Sequence, residues 1–478
     1  MKIVILYIAL IGVLTGCANM NGIDQTERAP LLTAAQVGAQ KQNIAWPIER
    51  WWQRYQDEEL TQLIEQALAS SPDVRVTQAR LAQAVAWVDQ REAMQGPELD
   101  AQLTAQRKRY AEQYDAGAPL AGHYGSTLLV GTELRYTFDF WGEQRAALQA
   151  ALGEAAARSA EVQEARLVLS SRLAANWFEL GRLLAAKRLM QEALAVRVHT
   201  LNLVEKRVRA GLDTETELKQ AQGDLPATER NIAKLEAQIR LQRNALTALA
   251  GLPVGALGDA APQSLYAPAQ ILPAMVPAEL LGRRPDVVAS RWRVEAAAHD
   301  VEVAKAEFYP NISLRAFFGF AKQSTSVGLS DWLHAGSRMY GIEPAFSLPI
   351  FDAGRLRARL RTRQAELDEA VELYNHTLLS AVHEVAEQMI SLEALVPQRE
   401  AQTQTLAARQ AAYEVATRQY QSGLTDYLNV LSAQDALLYE KQQQLDIAVQ
   451  AQSLSVALIR ALGGGFDGAD IETNFVGM

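Results

Sequence analysis

The stretch GEQRAALQAALGEAAARSAEVQEARLVLSSRLAANWFELGRLLAAKRLMQEALAVRVHTLNLVEKRVRAG, Gly142 to Gly211, has no proline, and between its end glycines only Gly153 and Gly181 interrupt it. Proline would remove a backbone donor and clash with the preceding turn, so one helix can run most of this distance. At 1.5 Å per residue such a helix is about 100 Å long, several times the length usual in globular domains. Apolar residues follow an alternating 4-3 spacing through Leu148, Leu152, Ala155, Val162, Leu169, Leu173, Leu180, Leu183, Met190, Leu194, Leu201, Val204 and Val208, broken at Ser159, Arg166, Asn176, Lys187 and Arg197. Sustained spacing of this kind marks coiled-coil packing. A second stripe, two positions back, consists of small residues: Ala146, Ala150, Gly153, Ala157, Ala160, Ser171, Ala174, Gly181 and Ala185. Two seams let a helix touch a neighbour on either side, which suits a curved wall; a long antiparallel hairpin, needing only the first seam, is the alternative.

The unit containing this stretch occurs twice. Pro72-Asp73-Val74 returns 213 residues later as Pro285-Asp286-Val287. Gly142 returns as Gly354, Gly211-Leu212 as Gly423-Leu424, and Leu249-Ala250-Gly251 as Ala461-Leu462-Gly463, each 212 residues on. Chance similarity between alanine-rich helices does not hold four landmarks to within one residue of the same offset, so the chain is a tandem repeat. The expected divisions are a segment 17–70, a first repeat 71–251, a linker 252–283, a second repeat 284–463 and a flexible tail 464–478. Within the repeats, long helices are predicted over about 142–210 and 214–250, and over 354–421 and 426–461. Pro226 and Pro397 fall inside them and should bend or break a helix.

Ahead of each long helix lie two segments of strand period, about 99–110 and 128–140, then 311–320 and 338–350. Leu128, Val130, Leu134, Tyr136 and Phe138 alternate with Gly131, Glu133, Arg135 and Thr137; Ile342, Phe346, Leu348 and Ile350 oppose Glu343 and Ser347. Lipid on one face and water on the other would produce this alternation. Pro344 within the last segment counts against a central strand. Four strands of roughly ten residues can cross a bilayer when tilted but cannot close a barrel; three chains would supply twelve. Two soluble hairpins packed on a helix are the alternative.

Composition narrows the function. A net charge of −9 argues against a nucleic-acid-binding face, and no other stretch near 18 uninterrupted apolar residues follows the first 16. Residues 1–16 have the layout of a secretory signal, with Lys2, an apolar run from Ile3 to Leu14, and Thr15-Gly16 before the single cysteine, Cys17. An apolar run of about 12 residues is short for a membrane span. LTGC resembles a bacterial lipoprotein box, which implies cleavage before Cys17 and lipidation of it; Ala18, rather than an aspartate, implies the outer membrane as destination. No nucleophile with a base, metal cluster or phosphate loop is evident, so no enzyme activity, cofactor or metal is expected. His376 and His383 lie beside Glu384 without HExxH spacing, and Gly463 to Gly465 read as a terminal breaker. The run Arg355, Arg357, Arg359, Arg361, Arg363 reads as a helix start near a membrane boundary, and the eight methionines are dispersed.

WWQRYQDEELTQLIEQAL (Trp51 to Leu68), RRPDVVASRWRVEAAAHDVEVAKAEFYPNISL (Arg283 to Leu314), LPIFDAGRLRARL (Leu348 to Leu360) and ALGGGF (Ala461 to Phe466) together resemble TolC-like outer-membrane factors, in the lipoprotein branch serving tripartite efflux pumps. The resemblance spans nearly the whole mature chain. It implies a mainly α fold with a membrane β-barrel: a homotrimer with four transmembrane strands per chain, and long coiled-coil helices forming an α-barrel in the periplasm. It further implies a periplasmic adaptor and an inner-membrane transporter as partners, with outer-membrane lipid around the barrel. The tip turns and adaptor contact carry over to Gly211, Leu212, Gly423 and Leu424. Asp213, Glu217, Tyr420, Thr425, Asp426, Ser432 and Asp435 become candidates for tip gating or the pore constriction. Threefold symmetry would turn acids such as Asp213, Glu215 or Asp435 into carboxylate rings that favour cations; equally, an acidic first turn is what a helix N-terminus prefers. Some relatives carry aspartate at Ser432 and arginine at Thr425, and proline is common at Glu58. The expected role is passive conduction of drugs or toxic compounds across the outer membrane. The alternative is the pump's adaptor lipoprotein, but an adaptor should have one helical hairpin between β-domains, not two full copies.

Overall fold

A computed structural model of the chain describes residues 29–40, 46–113, 120–263, 275–324 and 334–476, with positions 20 and 23. The expected signal segment and Cys17 lie outside the described residues. In order come α1 (Glu58–Ser70), α2 (Pro72–Ala93), β1 (Glu98–Arg109), β2 (Tyr124–Phe138), α3 (Glu143–Arg209), α4 (Glu215–Leu249), α5 (Leu280–Arg283), α6 (Pro285–Ala306), β3 (Asn311–Ser324), β4 (Arg338–Ser347), α7 (Arg355–Gln421), α8 (Tyr427–Ala461) and α9 (Ala469–Val476). The fold is mainly helical and twofold repeated. Helices α2 and α6 each have 22 residues, α3 and α7 each 67, α4 and α8 each 35. Among the described residues, no helix is long and apolar enough to cross a membrane.

Both long helices begin with the same device. Asp139, three residues before Gly142, accepts hydrogen bonds from the Gln144 and Arg145 backbone N–H groups at 3.2 and 3.0 Å, and Asp352, two residues before Gly354, accepts from Gly354 and Leu356 at 3.0 and 2.8 Å. A carboxylate here satisfies N–H groups that the helix leaves free and complements its dipole. Neither proline breaks its helix: α4 runs through Pro226 and α7 through Pro397 without ending. One missing i→i−4 bond is a local loss, and the packed seams on either side hold these helices together.

The chain forms two units. The first contains Ala82–Ala157 and Ser290–Tyr374, and it holds one antiparallel sheet ordered β1-β2-β3-β4. Strands β2 and β3 extend beyond the expected segments, to Tyr124 and to Ser324, while β4 stops at Ser347. The register stacks one face row by row: Leu99, Leu134, Ala316 and Ile342; then Ala101, Thr132, Phe318 and Tyr340; then Leu103, Val130, Phe320 and Arg338. The other face carries Glu98, Arg135, Arg315 and Glu343 in one row, with Arg135 bonded to Glu133 at 2.8 Å and to Asp100 at 3.1 Å. On the apolar face Leu103, Ile342 and Tyr340 are 70, 73 and 76% exposed, whereas Leu128, on the same face, is buried. Pro344 lies on β4, an edge of the sheet, where a missing N–H breaks no internal ladder. Gly131 and Gly319 face each other across β2 and β3, and a Cβ on Gly319 would lie 2.4 Å from the Val130 carbonyl oxygen. Beside the sheet, the basic start of α7 is neutralised by α6, with Arg359 2.9 Å from Glu307 and Arg363 3.6 Å from Asp300.

The second unit contains Leu31–Leu81, Arg158–Ala289 and Asn375–Met478. Its main core gathers Trp51, Trp52, Leu60 and Ile64 onto Leu173, Trp177, Phe178, Leu246 and Ile459. Asp57 ties the tryptophan-rich motif down: it caps α1 through the Leu60 N–H and accepts the Trp177 indole N–H at 2.9 Å. Glu58, where proline is common in the similar family, occupies the first turn of α1, a position that suits proline and acids alike.

Where the second repeat begins, Arg284 is buried and bidentate to Asp286 at 3.0 and 2.7 Å. It also donates to Glu384 at 2.8 Å and to the Ala461 carbonyl, and Arg460 donates to the other Glu384 oxygen. Burial alone would raise the Glu384 carboxyl, but the bonds from Arg460 and Arg284 hold it below the ordinary value. Burial, with repulsion from Asp286 and Glu384, outweighs the attraction of Arg284 and Arg460 at Glu164 and pushes its carboxyl up to about 7.

Just after Ala461 the chain is closely packed: Cβ atoms on Gly463, Gly464 and Gly465 would collide with the Arg283 carbonyl, the Leu167 side chain and the Ile48–Glu49 backbone. Only glycine permits that approach at positive φ, and α9 follows.

Candidate functional site

The two glycine-leucine pairs end the two longest helices by identical hydrogen bonding. Gly211 (φ 73°) donates to Val208 at 2.9 Å and Leu212 to Arg207 at 2.9 Å; Gly423 (φ 76°) donates to Tyr420 at 3.0 Å and Leu424 to Gln419 at 2.9 Å. This is the Schellman ending, whose left-handed residue favours glycine. It leaves Leu212 and Leu424 66 and 78% exposed at the turns. The returning helices start with caps: Thr214 and Glu217 form a reciprocal capping box on α4, and Asp426 accepts from the Asn429 N–H on α8.

Beneath the turns, the hairpin of the first repeat is joined to that of the second. Val204, Ala221, Tyr420, Tyr427 and Val430 form a small buried core. Around it, the Tyr420 hydroxyl donates to Asp213 at 2.5 Å, Arg207 donates to both Asp213 oxygens at 3.1 and 3.0 Å, and the Arg207 guanidinium lies 4.5 Å from the Tyr420 ring centroid. The Asp213 side chain is only 3% exposed. Burial and the adjacent Asp213 carboxylate raise the Tyr420 phenol well above its ordinary range, so it stays a donor. Burial and Asp224 likewise push Tyr427 up to about 12. A second contact runs from Arg197 to Asp435 at 2.6 Å and to the Thr228 hydroxyl at 2.5 Å. The Tyr427 backbone N–H donates to Glu217 at 3.4 Å.

The structure thus brings Asp213, Glu217 and Tyr420 together and leaves others apart. Asp213 and Glu217 turn into the chain, engaged in an ion pair and a capping box, so neither presents a free carboxylate; Asp426 is exposed but serves as a cap. Thr425 accepts from the Asn429 amide at 2.6 Å, and Ser432 is exposed. Asp435 is exposed yet held by Arg197. Sequence reasoning did not single out Arg207, Asp224, Thr228 or Tyr427. Arg197 did leave a signal, as a break in the apolar seam. Other breaks also meet partners: Asn176 accepts from Gln242 at 2.9 Å, and Lys187 pairs with Glu236 at 2.9 Å. His376 and His383 are exposed, and among the described residues no cluster of metal-ligating side chains occurs.

Comparison with known proteins places this geometry in a family. The model of the outer membrane efflux protein family matches twice, over residues 63–252 and 276–464. The chain therefore belongs to that family, with one match for each repeat. It is 36% identical over 363 residues to the fusaric acid resistance protein FusA of Burkholderia cepacia, covering 74% of this chain and 67% of that one. It is 30% identical over 434 residues to the multidrug resistance outer membrane protein MdtP of Escherichia coli, covering 89% and 88%. Among solved structures, the outer membrane protein VceC of Vibrio cholerae matches with a TM-score of 0.82 and 38% identity, over 88% of this chain and all of that one. The chain is accordingly an outer-membrane efflux channel component, and the adaptor alternative falls.

Proposed function

We propose that three copies of this chain close a twelve-stranded barrel in the outer membrane and a helical conduit in the periplasm, through which small toxic organic compounds, antibacterial drugs among them, leave the cell passively. The observation that carries this reading is the sheet: four antiparallel strands with one mostly apolar face, much of it open to solvent, and, among the described residues, no strand paired to β1 or β4 on their outer sides. Exposed edges and an exposed apolar face are liabilities in water, and lipid plus neighbouring copies remove both. The resistance proteins named among its relatives suggest the cargo class.

In this reading an energised inner-membrane transporter supplies the cargo, and a periplasmic adaptor engages the turns at Gly211-Leu212 and Gly423-Leu424. Cys17 carries the lipid anchor. The Arg207–Asp213–Tyr420 cluster and the Arg197–Asp435 pair latch the two hairpins of each chain together in a closed tip, and the adaptor opens it by binding the unlatched form better. No charge of the latch needs to line the pore for this to work. The test is single-channel conductance of the purified protein in a planar bilayer. Low conductance in the wild type and a several-fold rise in Arg207→Ala with Arg197→Ala is expected; unaltered low conductance in an intact trimer would refute the latch.

A further inference from the structure

The apolar face of the sheet changes character along its length. At the end where the strands meet α3 and α7 it ends in phenylalanines, Phe138 and Phe346. At the opposite end, where β1 joins β2, the same face carries Arg107, Arg109, Lys322 and Arg338, contributed by three strands. The strand period puts these four on the side of Leu103 and Phe320, not on the polar side, and that apolar face carries no acidic residue anywhere within β1 to β4. On the polar face arginines answer acids, as Arg135 and Arg315 both answer Glu133. On the apolar face the only ion pair among the described residues joins Arg109 to Glu112, beyond the strand, at 3.7 Å with both side chains mostly exposed. Arg107 lies over the Tyr124 ring, 5.5 Å from its centroid.

Cations on a lipid-facing barrel surface cost roughly 2–4 kcal/mol at the midplane and little near an interface. Four at one end and none at the other define an interface of one polarity. We propose that this belt binds the phosphate groups of an anionic lipid in the outward leaflet, with the lipid's chains lying on the apolar rows beneath. The inference rests on the reading of the sheet as part of a membrane barrel. It extends that reading by assigning the leaflet and the headgroup chemistry: the arginines supply forked donors to phosphate oxygens, and the lysine adds a point charge.

The test is native mass spectrometry of the detergent-solubilised protein offered diphosphorylated lipid A and, separately, an uncharged glycolipid with matched acyl chains; inorganic phosphate is then added as competitor. The wild type should retain the phosphorylated lipid preferentially, and free phosphate should not displace it. Arg107→Gln with Lys322→Gln and Arg338→Gln should weaken retention by roughly fivefold per cation removed, whereas Arg107→Lys with Lys322→Arg and Arg338→Lys should keep it. Equal retention of both lipids by the wild type, undiminished retention by the glutamine variant, or displacement by phosphate alone would overturn the proposal. If the glutamine variant does not assemble, the wild-type lipid preference decides. Trimer mass and conductance in a neutral bilayer are read on the same wild-type sample; their loss would instead strike the barrel reading.

Discussion

At Asp213 a carboxylate is nearly sealed from water and survives because two donors reach it, Arg207 and the Tyr420 hydroxyl. Breaking a buried pair by deleting one member costs about 3–5 kcal/mol, since the remaining charge is left uncompensated, whereas an exposed pair is worth about 1 kcal/mol or less. Arg207 should therefore dominate the latch, with Arg197, whose partner Asp435 is exposed, contributing less. Conductance is predicted to rise more in Arg207→Ala than in Asp435→Ala, and Tyr420→Phe, which loses one charge-assisted bond worth about 1.5–3 kcal/mol, should fall between them. Glu164 sets a pH dependence. Its folded value, about 7, lies above the ordinary 4.5, so the folded chain holds that proton more tightly than the unfolded chain. Its contribution is fully present below the unfolded value and is lost as pH rises through 7. Glu384, shifted downward, acts in the opposite sense and at lower pH, while Glu143 and Asp224, both raised mainly by burial, act in the same sense as Glu164, whose contribution falls away between 4.5 and 7. Melting temperature should thus decline as pH rises across that range, and Glu164→Gln should flatten the decline; an unchanged slope in the variant would assign it elsewhere.

Among the elements, the turns and the sheet make separate predictions. Nothing lies within 4 Å of a Cβ placed on Gly211 or Gly423, so substitution there is opposed by positive φ rather than by crowding. Gly211→Trp or Gly423→Trp should impair export of a toxic dye while leaving the trimer intact on native gels; loss of the trimer would argue against a tip role. Gly319 is the reverse case. A side chain there meets the Val130 carbonyl, so Gly319→Val should prevent assembly of the sheet and abolish heat-resistant oligomer on gels. The long helices were legible in the sequence because a proline-free heptad run needs only local periodicity, and their pairing was legible because the repeat offset stayed constant to within one residue. The strands were legible from alternation, though not the end of β3 at Ser324, where Lys322 replaces an apolar residue and interrupts the pattern. The latch was less so. Arg207 and Asp213 lie more than 200 residues from Tyr420, and no spacing rule pairs them. For Asp213 and Glu217 the sequence left a carboxylate ring and a helix-start role open, because it shows charge but not which way a carboxylate turns; here one side chain pairs with Arg207 and the other completes a capping box. Gly463 to Gly465 read as a terminal breaker in the sequence, which cannot show that each also removes a side chain that would collide.

For the molecule as a whole, the single chain is incomplete by its own physics: among the described residues the outer sides of β1 and β4 are unpaired, and much of the apolar face is exposed. Twelve strands from three copies close that account, and the doubled family match ties the closure to an internal repeat. The most direct measurement is electron microscopy of the purified, detergent-solubilised protein, scored for rotational symmetry and particle length. A threefold particle with a barrel at one end, longer than the ~100 Å expected of one of its helices, is the predicted result; a monomer, or a particle without threefold symmetry, would contradict it.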